Sequence, residues 1–146
     1  MFRKYDVGND DWLAYNGNKN EWAVAYHGIG RFSNDVEGIT KKIIKGGEDS
    51  GQNFLAGANQ AYANYDDARH PGQKVGIGVY CSPKPEVMDS YAGTSKTQVN
   101  GKRFKMGFMM RVKPDKIRYS NSCPEYWVLN GTTNEMRPYR IMLKEV

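Results

Sequence analysis

The chain has 146 residues, 39% of them apolar, 12% aromatic and 25% charged, which is too apolar for a disordered chain and long enough for one ordinary globular domain. No apolar run approaches the about 18 residues of a membrane-spanning helix, no apolar stretch follows the basic pair Arg3-Lys4 as in a signal peptide, and the two cysteines, Cys81 and Cys123, cannot build a disulfide framework or an all-Cys zinc site. A reducing, cytoplasmic setting is therefore expected, and the excess of 21 basic over 16 acidic residues favours an anionic ligand or partner. Residues 1–20 are rich in Asn, Gly and Asp and read as turns or a loosely packed lead-in. From Trp22 to His27 the side chains alternate, Trp22, Val24 and Tyr26 against Ala23, Ala25 and His27, and a strand ends in Gly28-Ile29-Gly30. A short helix follows, with Asn34 and Glu37 as its cap, Val36, Ile39, Ile43 and Ile44 as its apolar stripe, and Gly46-Gly47 as its stop. Residues 48–73 carry Leu55, Ala58, Tyr62 and Tyr65 at helical spacing among dense Asn, Gly and Asp, an irregular helix in a long surface insertion.

The second half reads as mostly β. Val75–Tyr80 is a strand thinned by glycines, and Pro85–Ala92 is a short helix with proline near its start, where the missing N–H does no harm. Phe104–Val112, Lys116–Tyr119, Tyr126–Leu129 and Tyr139–Lys144 follow as strands, the last with Tyr139, Ile141 and Leu143 on one face and Arg140, Met142 and Lys144 on the other. Strands with a few short helices make an α+β domain spanning residues 1–146, not a doubly wound sheet.

Chemistry-bearing residues are sparse. The two histidines are 43 residues apart, and neither His-x-x-Glu-His nor Cys-x-x-Cys occurs, so no metal site is expected. No Walker or Rossmann loop is present: Gly76-Ile77-Gly78 lacks a third glycine in register and opens no long helix. Gly-x-Ser-x-Gly is absent, and neither Cys81 nor Cys123 has the local signature of a cysteine nucleophile. His27 stands at a strand end before Gly28, where a ligand could reach the backbone, or it is a satisfied core histidine beside a turn. Tyr80 and Tyr91, eleven residues apart across a strand–helix turn, could sandwich a flat ring, or simply pack. Alternation over Glu125–Leu129 puts Glu125 on the apolar face of Trp127 and Leu129, a costly place for a carboxylate without a task, unless it lies at an exposed strand end. The basic stretch 101–118, interleaved with Phe104 and Phe108 and followed by Tyr119, is a solvated strand face or a nucleic-acid contact.

Tyr26-His27-Gly28, then Gly78-Val79-Tyr80 with Tyr91 eleven residues further, then Glu125-Tyr126, together resemble the His-Tyr-Glu branch of the ADP-ribosyltransferases, which holds the poly(ADP-ribose) polymerase catalytic domains and the diphtheria-toxin-like enzymes. The resemblance covers about residues 22–145, with Arg137–Leu143 in the place of the family's final strand. It implies a split antiparallel β-sandwich around an NAD cleft, NAD as co-substrate without a metal, and a macromolecular acceptor, most readily a protein, with nucleic acid as a further possibility. By the same resemblance the Gly28 backbone holds the nicotinamide carboxamide and Tyr80 and Tyr91 stack on its ring. His27 binds a ribose hydroxyl on the adenosine side, and Glu125 holds the 2′-hydroxyl of the nicotinamide ribose. Arg31 would reach the pyrophosphate, His70 would touch the adenosine from the donor loop, and Cys81 would pack beneath the pocket.

Three departures from the family pattern stand out. His27 and Tyr80 are 53 residues apart, and the excess falls in segment 48–73, where the family carries its donor loop. Met88 replaces the serine that many polymerase-type members use on the carboxamide, with Ser90 nearby but turned elsewhere on a helix. Cys123 stands where the arginine-modifying branch has a second acid. The chain's length and the lack of a preceding helical domain lead us to expect transfer of single ADP-ribose units. A non-catalytic module binding NAD, ADP-ribose or a protein is the alternative.

Overall fold

The computed structural model describes residues 10–13, 17, 21–29, 64–76, 78–92, 97–130 and 134–146. The helix expected at 34–46, residue Arg31 and most of segment 48–73 lie outside the described residues. Eight regular elements follow in chain order: β1 (Ala23–Ile29), β2 (Val79–Cys81), α1 (Pro85–Asp89), β3 (Thr97–Val99), β4 (Lys102–Val112), β5 (Arg118–Tyr119), β6 (Trp127–Leu129) and β7 (Met136–Glu145). Short 3₁₀ turns at Asp10–Leu13 and Pro114–Lys116 complete the set.

The long strand β4 organises the larger sheet. It pairs antiparallel with β7 along one edge; the other edge takes β3 near its start and β1 from Met106 to Val112. Strands β3 and β4 meet through Asn100-Gly101, both at positive φ (50° and 76°), the two-residue hairpin turn that Asn-Gly is built for. That dipeptide marks β3, which patterning alone did not predict. Alternation along β4 sends Phe108, Met110 and Val112 into the core with Ala25 of β1 and Met136 of β7, all fully buried. The smaller sheet, in the order β2-β6-β5, closes that core with Val79, Cys81 and Leu129.

Two local features reshape the predicted strands. In β7 the register slips at Met109/Met110, so Tyr139 is an extra residue between Pro138 and Arg140. This bulge takes Tyr139 alone out of the expected alternation, which holds for Ile141 and Leu143 against Arg140, Met142 and Lys144: Tyr139 keeps company with Arg140, and Arg111 lies over its ring. The predicted strand at Val75–Tyr80 shortens to Val79–Cys81, with Gly76 at φ 80°. Residues 64–76 form turns and isolated bridges rather than the tail of a helix, and Asp67 and Ala68 lie along the edge of β5. Within the predicted loose lead-in, Trp12 is only 4% exposed and packs against Trp22, so at least this part of 1–20 is anchored.

The architecture is thus mainly antiparallel β with one five-residue α-helix among the described residues, compatible with the α+β class expected. Among the described residues no helix is long and apolar enough to cross a membrane.

Candidate functional site

Among the described residues the backbones of the two sheets join at Tyr26 and Ser82. Tyr26 of β1 exchanges two backbone hydrogen bonds with Ser82, just after β2, at 2.8 and 3.0 Å. Strand alternation turns the N–H and C=O of Gly28 toward the same edge as those of Tyr26. Continued pairing would set Gly28 opposite Tyr80, but among the described residues no backbone group bonds Gly28 there. Instead His27 bridges the strands. Its Nδ1 lies 2.7 Å from the Tyr80 carbonyl, and since a carbonyl only accepts, Nδ1 carries the proton and Nε2 is left as an acceptor. Burial pushes the His27 pKa below the ordinary histidine value, with the Tyr80 bond offsetting part of the shift, so the ring is neutral near pH 7.

Helix α1 lies directly over Gly28. A β-carbon on Gly28 would stand 2.5 Å from the Met88 carbonyl oxygen, 2.9 Å from the Ala92 nitrogen and 3.1 Å from the Tyr91 carbonyl carbon. Glycine is required here because helix backbone meets strand backbone. Met88 itself is buried, and the hydroxyl of exposed Ser90 donates to the Val87 carbonyl at 2.8 Å, away from Gly28, as the sequence suggests.

The Tyr91 ring meets Tyr126 edge-on, with centroids 6.0 Å apart at 87° and hydroxyls 3.0 Å apart. Tyr80 donates its hydroxyl to the Gly76 carbonyl at 3.1 Å, and burial raises its pKa, an effect that the Arg118 guanidinium partly offsets. Each phenol thus has a hydroxyl partner of its own, the Gly76 carbonyl for Tyr80 and the Tyr126 hydroxyl for Tyr91.

Glu125 corrects one expectation. The strand begins at Trp127, two residues later than the alternation argument needs, and Glu125 lies in the turn before it. Its side chain is 45% exposed and ion-paired with Lys84, the residue that precedes α1. The apolar-face argument fails because Cys123-Pro124-Glu125-Tyr126 closes a turn through the Tyr126 N–H to the Cys123 carbonyl.

These contacts form one chain: His27 to Tyr80, Gly28 to Tyr91, Tyr91 to Tyr126, and Tyr126 beside Glu125 with its Lys84 partner. Sequence reasoning missed Lys84 and Tyr126. A lysine directly before a helix-opening Pro85 and a tyrosine directly after Glu125 were visible, but neither carries a spacing signal. A cavity of about 320 Å³ borders His27 and Gly28, but its other walls are α1 and the Lys105, Met142 and Lys144 region, and they do not include Tyr80, Tyr91 or Glu125. There Asp89 bridges Lys144 at 2.8 Å and Lys105 at 3.4 Å, and the two lysines hold its carboxyl below the usual aspartate range.

The remaining predicted positions separate. His70 lies 3.3 Å from the buried carboxylate of Asp67, in the segment fastened along β5. Cys81 is fully buried in the core, where burial drives its thiol pKa far up. Among the described residues no group of three His, Cys, Asp or Glu side chains could hold a metal ion. No protein-family model, curated protein or solved structure matches the chain.

Proposed function

We propose that the chain is an NAD-dependent mono-ADP-ribosyltransferase with a split antiparallel β-sandwich fold, acting on a macromolecular acceptor such as a protein. One observation carries the reading: beyond the Tyr26–Ser82 bridge no backbone group among the described residues bonds Gly28, whose N–H and C=O face away from β4 and whose α-carbon lies against the Tyr91 backbone. A carboxamide needs one donor and one acceptor side by side, which an unpaired strand position supplies. Tyr91 and Tyr126 lie together just after α1, and His27, neutral near pH 7, stands beside Gly28 as the reading's ribose-binding residue.

The reaction breaks the bond between nicotinamide nitrogen and ribose C1′, with the electron pair leaving on nicotinamide. Positive charge grows on C1′ and its ring oxygen, and a fixed carboxylate there stabilises it. Glu125 takes that role, holding the ribose 2′-hydroxyl and receiving the proton of the acceptor nucleophile as its bond to C1′ forms. Because Lys84 pairs with Glu125 in the free chain, bound NAD must share or displace that ammonium.

A second reading has a specific observation in its favour. Lys84 neutralises Glu125, and α1 backbone fills the space above Gly28, features that suit a module binding NAD or ADP-ribose, or a protein partner, without turnover. The test is incubation with NAD labelled in its adenylate and in its nicotinamide, for wild type and Glu125→Gln. Transfer and nicotinamide release that fall about 10²–10³-fold in the variant support the enzyme. Calorimetric NAD binding without release in either protein supports the module. Absence of both binding and release overturns the NAD reading.

A further inference from the structure

The face of the larger sheet turned away from the core carries a cluster of arginines and aromatic rings that the NAD reading does not use. Arg137 lies 5.2 Å from the Trp12 ring centre and 5.4 Å from that of Trp22. Tyr139 has the Arg111 guanidinium 5.8 Å from its ring centre and that of Arg140 at 5.7 Å. The β7 bulge creates this arrangement by placing Tyr139 beside Arg140 instead of across the sheet from it. Tyr26 belongs to the same face, opposite Met109, whose other neighbour is Arg140.

Charge on this face is concentrated against the interest of the fold. Arg111 stands directly across from Arg137 and Lys105 across from Lys144, and like charges in direct cross-strand register repel. Asp89 answers the lysine pair. Glu21, 3.5 Å from Arg111, answers part of the arginine pair, and Arg140 projects at the surface. The guanidiniums of Arg137 and exposed Arg140 beside the half-buried rings of Trp22, Tyr26 and Tyr139 suit a flexible polyanion that brings planar groups of its own, while buried Arg111 donates to the Trp22 carbonyl beneath them.

We propose that this face, centred on Trp22, Tyr26, Arg137, Tyr139 and Arg140, binds single-stranded nucleic acid, with Arg137 and Arg140 on phosphates and the rings stacking on bases. A duplex hides its base faces and an acidic peptide has none, so neither uses the rings.

The test is fluorescence anisotropy with a labelled single strand of roughly 12 nucleotides, the matching duplex, and polyglutamate as competitor. Two or three phosphate contacts on a single strand should weaken binding about 7- to 20-fold between about 50 and about 200 mM salt. Arg140→Glu, a surface change, should weaken binding at least about 10-fold and flatten the salt slope by about one contact, while Lys116→Glu, on the 3₁₀ turn outside the larger sheet, leaves it unchanged. Tyr139→Leu, checked for an unchanged melting curve, should weaken binding about 5-fold or more and leave the slope intact. The proposal is overturned if the single strand does not bind at about 50 mM salt, if Arg140→Glu binds as wild type does, or if duplex or polyglutamate binds as well as the single strand. The outcome does not depend on NAD turnover, so the transferase reading stands or falls separately.

Discussion

Replacing Gly28 by alanine puts the contact between β1 and α1 to a direct test. The new methyl carbon would lie 2.5 Å from the Met88 oxygen, about 0.9 Å inside the separation where ordinary contact begins. It would also lie 2.9 Å from the Ala92 nitrogen and 3.1 Å from the Tyr91 carbonyl carbon. All three neighbours are backbone atoms, so no side chain can swing aside and α1 itself must move. Overpacking of this kind costs about 1–3 kcal/mol, which at a urea m-value of about 1–3 kcal/mol/M lowers the denaturation midpoint by roughly 0.5–2 M. Gly72→Ala is the control: its β-carbon meets nothing, and only the positive φ of 82° penalises it, at about 1 kcal/mol. Because Tyr91 follows α1 by two residues and its backbone is itself one of the contacts, Gly28→Ala should also weaken NAD binding at least about tenfold when assayed where the variant is folded. A Gly28→Ala protein as stable as wild type, with unchanged NAD affinity, would refute the close packing and the role given to Gly28.

Three further outcomes are expected. His27 has a folded-state pKa below its unfolded value of 6.5, so its contribution to stability is complete above that pH and is lost as the pH falls toward the folded value. Urea titrations at about pH 7.5 and about pH 5.5 should show a drop that His27→Gln reduces; an equal drop in both proteins contradicts it. Cys123 is partly exposed and Cys81 fully buried with a raised pKa, so a thiol reagent should modify one cysteine in the native protein and the second only on unfolding. Tyr91→Phe removes one hydroxyl from the pair with Tyr126 and should cost about 0.5–1.5 kcal/mol in denaturant titration, with a double-mutant cycle to Tyr126→Phe showing coupling.

Periodicity located most of the β framework because each long strand buries one face. Ala25 in β1 and Phe108, Met110 and Val112 in β4 fill the core as alternation requires. Patterning failed where the backbone departs from a two-residue repeat. The β7 bulge inserts Tyr139, and its only advance sign is a proline on a strand edge. Strand β3 has no apolar alternation and was marked solely by Asn100-Gly101. Of the residues grouped by order and spacing, His27 contacts the Tyr80 carbonyl and Gly28 meets the backbone at Tyr91. Glu125 was picked out for the wrong physical reason. The turn at Cys123–Tyr126 takes it off the strand, and its ion-pair partner, Lys84, lies 41 residues away in sequence, beyond any local pattern.

Crystals of the chain soaked with NAD examine the sheet junction most directly. The expected complex has the carboxamide of the nicotinamide on the N–H and C=O of Gly28, its ring against Tyr91, and the Glu125 carboxylate on the ribose in place of Lys84. NAD held in the cavity between α1 and Met142, with Glu125 still bound to Lys84, would contradict it, as would a junction that stays empty at saturating NAD.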